Sequence, residues 1–163
     1  MIERTKKIRL LVVVDESAAT TKALQYVAQW AAGRADFEVC LAHSVPPQPR
    51  QLIEIRGTEK ERLRAYKSRW IAADETTEQR ALYRANAVLM QGGIAAIAIA
   101  AHYCYLVEGT RATTDILALA RAQKCRTVVI GRKSLNWLGK LIGADPAEEL
   151  VRQGKGLTIW VVE

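Results

Sequence analysis

The chain has 163 residues, of which 50% are hydrophobic, and it carries a formal net charge of +7. This length and apolar content fit one domain with a buried core and leave little room for two. No apolar run approaches the roughly 20 residues that span a bilayer, and no secretory leader precedes the first apolar run. We therefore expect a cytoplasmic protein whose residues 1–163 form a single domain.

Three cysteines are widely spaced and show no CxxC pattern: Cys40, Cys104 and Cys125. An odd count without paired spacing argues against a disulfide framework or a metal site. We expect three buried free thiols, because free cysteine commonly packs as a small hydrophobe.

The first third of the chain has a β-α-β pattern. The run Ile8 to Val14, apolar except for Arg9, is typical of a parallel strand buried on both faces. The next segment carries an apolar stripe at helical spacing and ends at Gly33. A second strand is predicted from Phe37 to His43, before the turn-forming prolines Pro46 and Pro47. Its short connection favours a right-handed parallel crossover.

The middle of the chain, residues 48–91, is helical in pattern and unusually charged. Its two apolar stripes fit one long helix or two shorter ones, ending at Gly92 and Gly93. Between Arg50 and Arg69, seven basic residues stand against three acidic ones. Their helical spacing is typical of a solvated face with local ion pairs, and an anionic partner is the alternative. Nucleic acid is not expected, because no aromatic stacking array accompanies the charge.

The second half of the chain continues the alternation of helices and strands. The stretch from Ile94 to Val107 fits either type, and its place after a Gly-Gly break favours a strand. An amphipathic helix is predicted from Ala112 to Gln123, then strands from Arg126 to Gly131 and from Leu157 to Val162. Five strands alternating with helices predict an α/β domain with a mostly parallel sheet.

Four motifs in this order resemble the universal stress protein family. They are VVVDES at Val12 to Ser17, LAHSVPP at Leu41 to Pro47, the run from Glu108 to Gly131, and the terminal GLTIWVV from Gly156 to Val162. The resemblance covers most of the chain, and residues 48–91 are the least typical part. It implies a doubly wound five-stranded sheet of order 3-2-1-4-5 with helices on both faces, the adenine nucleotide alpha hydrolase-like fold.

The resemblance also implies a homodimer. Residues 157–162 would form an edge strand whose unpaired backbone groups could pair with a second copy across a two-fold axis. The alternative for Trp160, which lies in this strand, is internal packing against a helix.

With that strand order, the first and fourth strands end side by side, where doubly wound sheets bind ligands. Asp15 would accept hydrogen bonds from a ribose hydroxyl or a base amino group. The alternative is that the Asp15 carboxylate only stabilises the positive end of the helix that follows it. The loop after Gly131 would offer backbone N–H groups to phosphates. His43 and His102 are expected to be structural, and contact with a nucleotide base is the alternative for His43, which ends the second strand near this crevice. The candidate ligand-binding residues are Asp15, Val45, Gly131, Arg132, Lys133, Ser134, Gly143 and Ala144.

The members of the family that bind ATP carry a glycine, two residues, a second glycine, a spacer, and a glycine followed by serine or threonine. Gly131 and Gly143 match the outer glycines of this motif. Ser134 stands at the second glycine, Ala144 stands at the hydroxyl position, and the spacer is one residue short. Ser134 adopts a positive φ less readily than glycine does, and Ala144 cannot donate to a phosphate. The resemblance therefore implies a degenerate ATP motif.

The segment after Ala144 predicts a helix that caps itself. Asp145 stands at the N-cap, Pro146 at the first helical position, and Glu148 three residues after the cap, which resembles a capping box. A carboxylate there competes with phosphate for the same N–H donors and repels it. Three nearby cations favour anion binding instead and would suit an anion smaller than a triphosphate, or they are ordinary solvated charges: Arg132, Lys133 and Lys140.

No nucleophile elbow, zinc motif or P-loop lysine occurs in the sequence, so no catalytic residue is predicted. The resemblance implies a stress-response protein of the universal stress type that acts by binding and regulation, and the departures from the ATP motif predict no tight ATP binding and no enzymatic activity. The alternative is an ATP-binding switch with weak ATPase activity, for which ATP or another adenine nucleotide would be the cofactor.

Overall fold

One parallel sheet organises the computed structural model, which describes residues 6–45, 79–106, 111–135 and 145–163. Within these residues five strands are found: β1 (Ile8–Val14), β2 (Phe37–Val45), β3 (Ile99–Tyr105), β4 (Thr127–Gly131) and β5 (Thr158–Val162). Their order is β3-β2-β1-β4-β5, and every neighbouring pair is parallel. The predicted order 3-2-1-4-5 and the α/β class are confirmed.

The helices of the described residues cover both faces of the sheet. They are α1 (Ala18–Ala31), α2 (described over residues 79–91), α3 (Ala112–Ala122) and α4 (Pro146–Gln153). α1 and α2 pack on one face, while α3 and α4 pack on the other. The basic segment from Arg50 to Arg69, Lys140, Gly143 and Ala144 lie outside the described residues.

The central position of β1 in the sheet explains why its sequence is apolar from Leu10 to Val14. Leu10, Val12 and Val14 face the core under α1 and α2, whereas Leu11 and Val13 face the core under α3 and α4. Because successive side chains of a strand point to opposite faces, a strand covered on both sides needs an apolar residue at every position. All five side chains are at most 1% exposed.

The ambiguous stretch after Gly93 contains both types of structure. A short 3₁₀ turn, Ala96–Ala98, precedes strand β3, which begins at Ile99. The favoured strand is confirmed, although it starts later than expected. β3 lies at the edge of the sheet and several of its side chains are half-buried or exposed, His102 among them.

The three cysteines are buried and free, as expected. Trp160 of the edge strand β5 packs internally against α1. Its ring centroid lies 5.0 Å from that of Trp30 and 6.0 Å from that of Tyr26, both in edge-to-face arrangement. The internal alternative for this side chain is therefore the observed one, and the dimer stays a prediction.

Candidate functional site

The candidate site lies at the carboxyl ends of β1 and β4, which are adjacent strands. Val12 is in register with Val129, so the two strands end side by side. Asp15 follows β1 and Arg132 follows β4. α1 begins at Ala18, three residues after Asp15, with Ser17 as its N-cap. The fold thus brings together the two loops that the sequence singled out.

The Asp15 carboxylate is occupied by donors from the protein itself. Its Oδ1 accepts from the Ser17 N–H at 2.9 Å, from the Ser17 hydroxyl, and from the Thr20 hydroxyl at 2.6 Å. Its Oδ2 accepts from the Leu135 N–H at 2.7 Å. Asp15 therefore fastens the turn between β1 and α1 to the loop that follows β4, and both of its oxygens are used in doing so.

These hydrogen bonds also fix the charge of Asp15. Burial by itself would raise the pKa of this half-buried carboxyl. The hydrogen bonds from the Leu135 N–H, Ser17 and Thr20 outweigh burial, and the net pKa is lowered from its ordinary value. Asp15 is ionised at neutral pH, which strengthens each of the bonds it accepts.

Ser134 turns its side chain into the protein rather than toward a ligand. The residue is 1% exposed, and its Oγ lies 2.9 Å from the Thr20 hydroxyl oxygen. Its N–H donates to the Gly131 carbonyl at 2.9 Å, which closes a tight turn. The left-handed residue of this turn is Leu135, with φ of 60°, and its side chain is fully buried. The positive φ that we associated with the second motif position therefore falls one residue later.

Gly131 is required by packing. A Cβ at this position would lie 2.5 Å from both the backbone carbon and the carbonyl oxygen of Ala19 in α1. Only glycine lets the first turn of α1 approach the end of β4 this closely. The first glycine of the motif thus has a structural explanation that does not involve a ligand.

Val45 and His43 are both engaged by the sheet. Val45 is 1% exposed and its carbonyl accepts from the Leu106 N–H at 3.0 Å. The His43 Nδ1 lies 3.1 Å from the Val14 carbonyl. Because a carbonyl only accepts, we assign the proton to Nδ1. This contact agrees with the structural role expected for His43.

A shallow cleft of about 580 Å³ opens beside the start of α1 and carries the exposed cations of the site. It is lined by Ser17, Ala18, Ala19, Lys22, Arg132, Lys133 and Glu163. Arg132 is engaged by acidic groups, since its Nε lies 2.8 Å from Glu163 Oε1 and its Nη1 lies 3.9 Å from Asp145 Oδ2. The lining therefore contains three cations and one carboxylate.

The start of α4 carries its own negative charge, as predicted. Asp145 is the N-cap and its Oδ1 accepts from the Ala147 N–H at 3.0 Å, with Pro146 at the first helical position. The cap bond goes to Ala147 rather than to Glu148, the residue that a capping box would use. Glu149, in the same first turn, is buried and pairs with Arg111 at 2.7 Å.

Sequence reasoning missed Thr20, Leu135 and Lys22. Asp15 and Ser17 form the Asp-x-Ser pattern of a side-chain-capped turn, a local signal that could have predicted the bond between them. The contacts to Thr20 and Leu135 depend on the docking of α1 against β4. No local pattern reports that docking.

Two further features bear on function. Within the part of the chain that the structure describes, no group of His, Cys, Asp and Glu side chains could hold a metal ion. Among the described helices, none is long and apolar enough to cross a membrane.

Known proteins resemble this chain in both sequence and fold. The sequence model of the universal stress protein family matches residues 8–156 of the chain. No curated protein matches the chain. A universal stress protein solved in complex with cAMP is 20% identical, with a TM-score of 0.59 and coverage of 96% of each chain.

Two further solved structures have the same fold. A universal stress protein from Archaeoglobus fulgidus in complex with dAMP is 16% identical, with a TM-score of 0.59, over 97% of this chain and 99% of that one. A family protein from Burkholderia pseudomallei is 18% identical, with a TM-score of 0.59, over 97% of both chains. At these identities the structures establish the fold, and the family model establishes membership: the chain belongs to the universal stress protein family.

Proposed function

We propose that this protein is a binding and regulatory member of the universal stress protein family that does not hold ATP tightly. The observation that carries the proposal is the closed network around Asp15. Both carboxylate oxygens accept from groups of the protein, and the Ser134 hydroxyl is buried against Thr20. A nucleotide that used Asp15 would have to displace hydrogen bonds that are already made in a half-buried site.

The charge at the start of α4 supports the same conclusion. A phosphate about 4 Å from the Asp145 carboxylate would be repelled by about 4 kcal/mol per unit charge at an effective dielectric of about 20. Solvent reduces this figure, because the Asp145 side chain is 33% exposed. The N–H donor that Asp145 caps is also withdrawn from any phosphate.

A second candidate is a nucleotide-dependent switch, with weak ATPase activity when the nucleotide is ATP. It is favoured by the cleft beside α1, where Lys22 and Lys133 are exposed and the first turn of the helix carries no acidic residue. The relatives solved with cAMP and dAMP support an adenine nucleotide with one phosphate as the ligand of such a cleft. In this arrangement Lys22, Arg132 and Lys133 would meet the phosphate.

The remaining expectations stay proposals. The eight candidate residues named from the sequence are proposed as the surroundings of any ligand, with Gly143 and Ala144 outside the described residues. Pairing of β5 with a second copy is proposed as the dimer contact, since β5 lies at the edge of the sheet. The cytoplasmic location and the single domain over residues 1–163 are predictions from the sequence.

Calorimetric titration with ATP, AMP and cAMP tests the proposal and separates the two candidates. We expect no ATP binding tighter than about 100 μM, roughly −5.5 kcal/mol. Asp145→Asn keeps a side-chain cap but removes the charge, so it should strengthen ATP affinity roughly tenfold, or about 1.4 kcal/mol. Lys155→Ala removes an exposed cation at the opposite end of β5, and it is the matched control for Lys22→Ala, the variant that tests the second candidate.

Two results would decide against the first candidate. Micromolar ATP affinity of the unmodified protein would show that the Asp15 network does not close the site. Binding of AMP or cAMP that is lost in Lys22→Ala but kept in Lys155→Ala would favour the switch.

A further inference from the structure

A groove of about 360 Å³ lies between α2 and the edge strand β3, on the face of the sheet that α1 and α2 cover. Its floor is the buried Leu41 of β2, which stands in register with Ala101 of β3. Ile99 and Tyr103 lie two residues before and after Ala101 and line the same groove. Because alternate residues of a strand share a face, the small Ala101 side chain leaves a gap between two large ones.

α2 supplies the second wall of the groove. Four of its residues line the groove, at spacings of three and four that place them on one stripe of the helix: Gln79, Leu82, Tyr83 and Asn86. Leu82 belongs to the core, whereas Tyr83 is exposed. The stripe therefore runs from an apolar base to an aromatic rim.

The groove is uncharged, although the chain carries a net charge of +7. None of the described residues that line it is acidic or basic, and its polar groups are two amides and two phenols. A charged ligand would give up its hydration here without meeting an opposite charge, which is unfavourable. The groove therefore suits a neutral molecule.

Asn86 brings a hydrogen-bond acceptor to the groove. Its Oδ1 is buried, and among the described residues none donates a hydrogen bond to it. Native proteins rarely bury a polar oxygen without a donor, because the oxygen loses its bonds to water and gains nothing. The terminal torsion of asparagine is soft, so a small turn of the amide brings this oxygen against a donor in the groove. A ligand N–H or O–H would then supply the missing hydrogen bond.

We propose that this groove is a second ligand site, which binds a neutral, planar, mostly apolar molecule with one N–H or O–H donor. The flat molecule lies over Ala101, packs against the rings of Tyr83 and Tyr103, and donates to Asn86 Oδ1. Apolar walls with a few polar groups and a volume of this order are typical of small-molecule sites. The site is separate from the Asp15 network, since its lining includes none of the eight candidate residues.

Two probes of nearly equal size and shape test the proposal on the full chain. Indole and benzofuran are both flat two-ring molecules, but only indole carries an N–H donor. Each is titrated into the ¹⁵N-labelled protein and followed by NMR. Indole should bind with a Kd on the order of 1 mM, and benzofuran should bind roughly tenfold more weakly. The shifted amide signals should centre on residues 82–86 and 99–103.

Three variants sharpen the test. Asn86→Leu keeps the approximate shape of the side chain but removes the acceptor, so the preference for indole should fall from tenfold to about one. Ala101→Leu fills the gap in β3 and should abolish the binding of both probes. Gln25→Leu replaces an exposed amide of α1 and is the matched control, which should keep the preference.

Several results would overturn the proposal. They are equal affinities of the unmodified protein for the two probes, the absence of indole-dependent shifts, shifts centred outside the groove, and a preference that persists in Asn86→Leu. The comparison of the two probes in the unmodified chain needs no variant, so it decides the outcome even where a variant fails to fold.

Discussion

α1 and α4 begin at the same end of the sheet, on opposite faces, and their acidic groups stand at different positions relative to the positive end of the helix. α1 is capped by the neutral Ser17 and has no acidic residue in its first turn. α4 is capped by Asp145 and carries Glu148 and Glu149 in its first turn. Both helix starts present similar backbone dipoles, and at α1 a carboxylate, that of Asp15, lies two residues before the cap and accepts from the Ser17 N–H. α1 thus has the Asp15 carboxylate outside its first turn and bound to groups of the protein, whereas α4 has carboxylates at its cap and in its first turn, which would repel a triphosphate.

Gly131→Ala should have the largest effect, because it attacks the contact that brings α1 to the end of β4. The added Cβ would lie 2.5 Å from backbone atoms of Ala19, and the helix would have to move. We expect a loss of about 3 kcal/mol in the free energy of unfolding, measured by urea denaturation. Adding Ala19→Gly should restore little of the stability, since it relieves the contact with the Ala19 Cβ at 2.8 Å but leaves the two closer clashes with backbone atoms. An unchanged unfolding midpoint would show that α1 does not dock as described.

Asp15→Ala should have the second-largest effect, a loss of about 2–3 kcal/mol in the free energy of unfolding. The reason is that the Leu135 and Ser17 N–H groups would lose their acceptor. The pKa of Asp15 is lowered in the folded protein. Its contribution to stability is therefore complete above the unfolded pKa of about 3.9 and is lost as the pH falls through the folded value.

The pH dependence of unfolding checks this assignment. The stability difference between the unmodified protein and Asp15→Asn should be constant from about pH 5 to 8 and should shrink below about pH 4. Glu16→Gln, at the exposed neighbouring residue, is the control. If the stability difference between the unmodified protein and Asp15→Asn grew toward acid pH, the hydrogen bonds assigned to the Asp15 carboxylate would be wrong.

The smallest effect on stability belongs to the cap of α4, where charge and capping can be separated. Asp145→Ala should cost about 1 kcal/mol, whereas Asp145→Asn should stay within about 0.5 kcal/mol, since asparagine caps nearly as well. Thermal unfolding of both variants measures the difference. Equal losses would mean that the charge stabilises the helix start more than the cap bond does.

The fold could be predicted from the sequence because its signals are local. The apolar run from Leu10 to Val14 in β1, the alternation of strands and helices, and the cap at Asp145 can each be recognised from short stretches of sequence. The order of the strands came from the family resemblance, since periodicity does not report which strands are neighbours. The β3 region was ambiguous because a 3₁₀ turn and an edge strand share one alanine-rich stretch.

The candidate site could be located but its internal contacts could not be predicted. Asp15 and Gly131 were correctly assigned to neighbouring loops, because parallel strands end on one side of the sheet. That Asp15 binds Leu135, and that Ser134 turns inward, depends on how closely α1 approaches β4. Such contacts join residues more than a hundred positions apart, and no short pattern encodes them.

The most direct test of the central claim is the content of the protein as purified from cells. The folded chain is exchanged into volatile buffer, denatured by heat, and whatever small molecule leaves it is identified and quantified by mass spectrometry. The closed Asp15 network and the charge at α4 predict no stoichiometric ATP. One ATP released per chain would contradict the account.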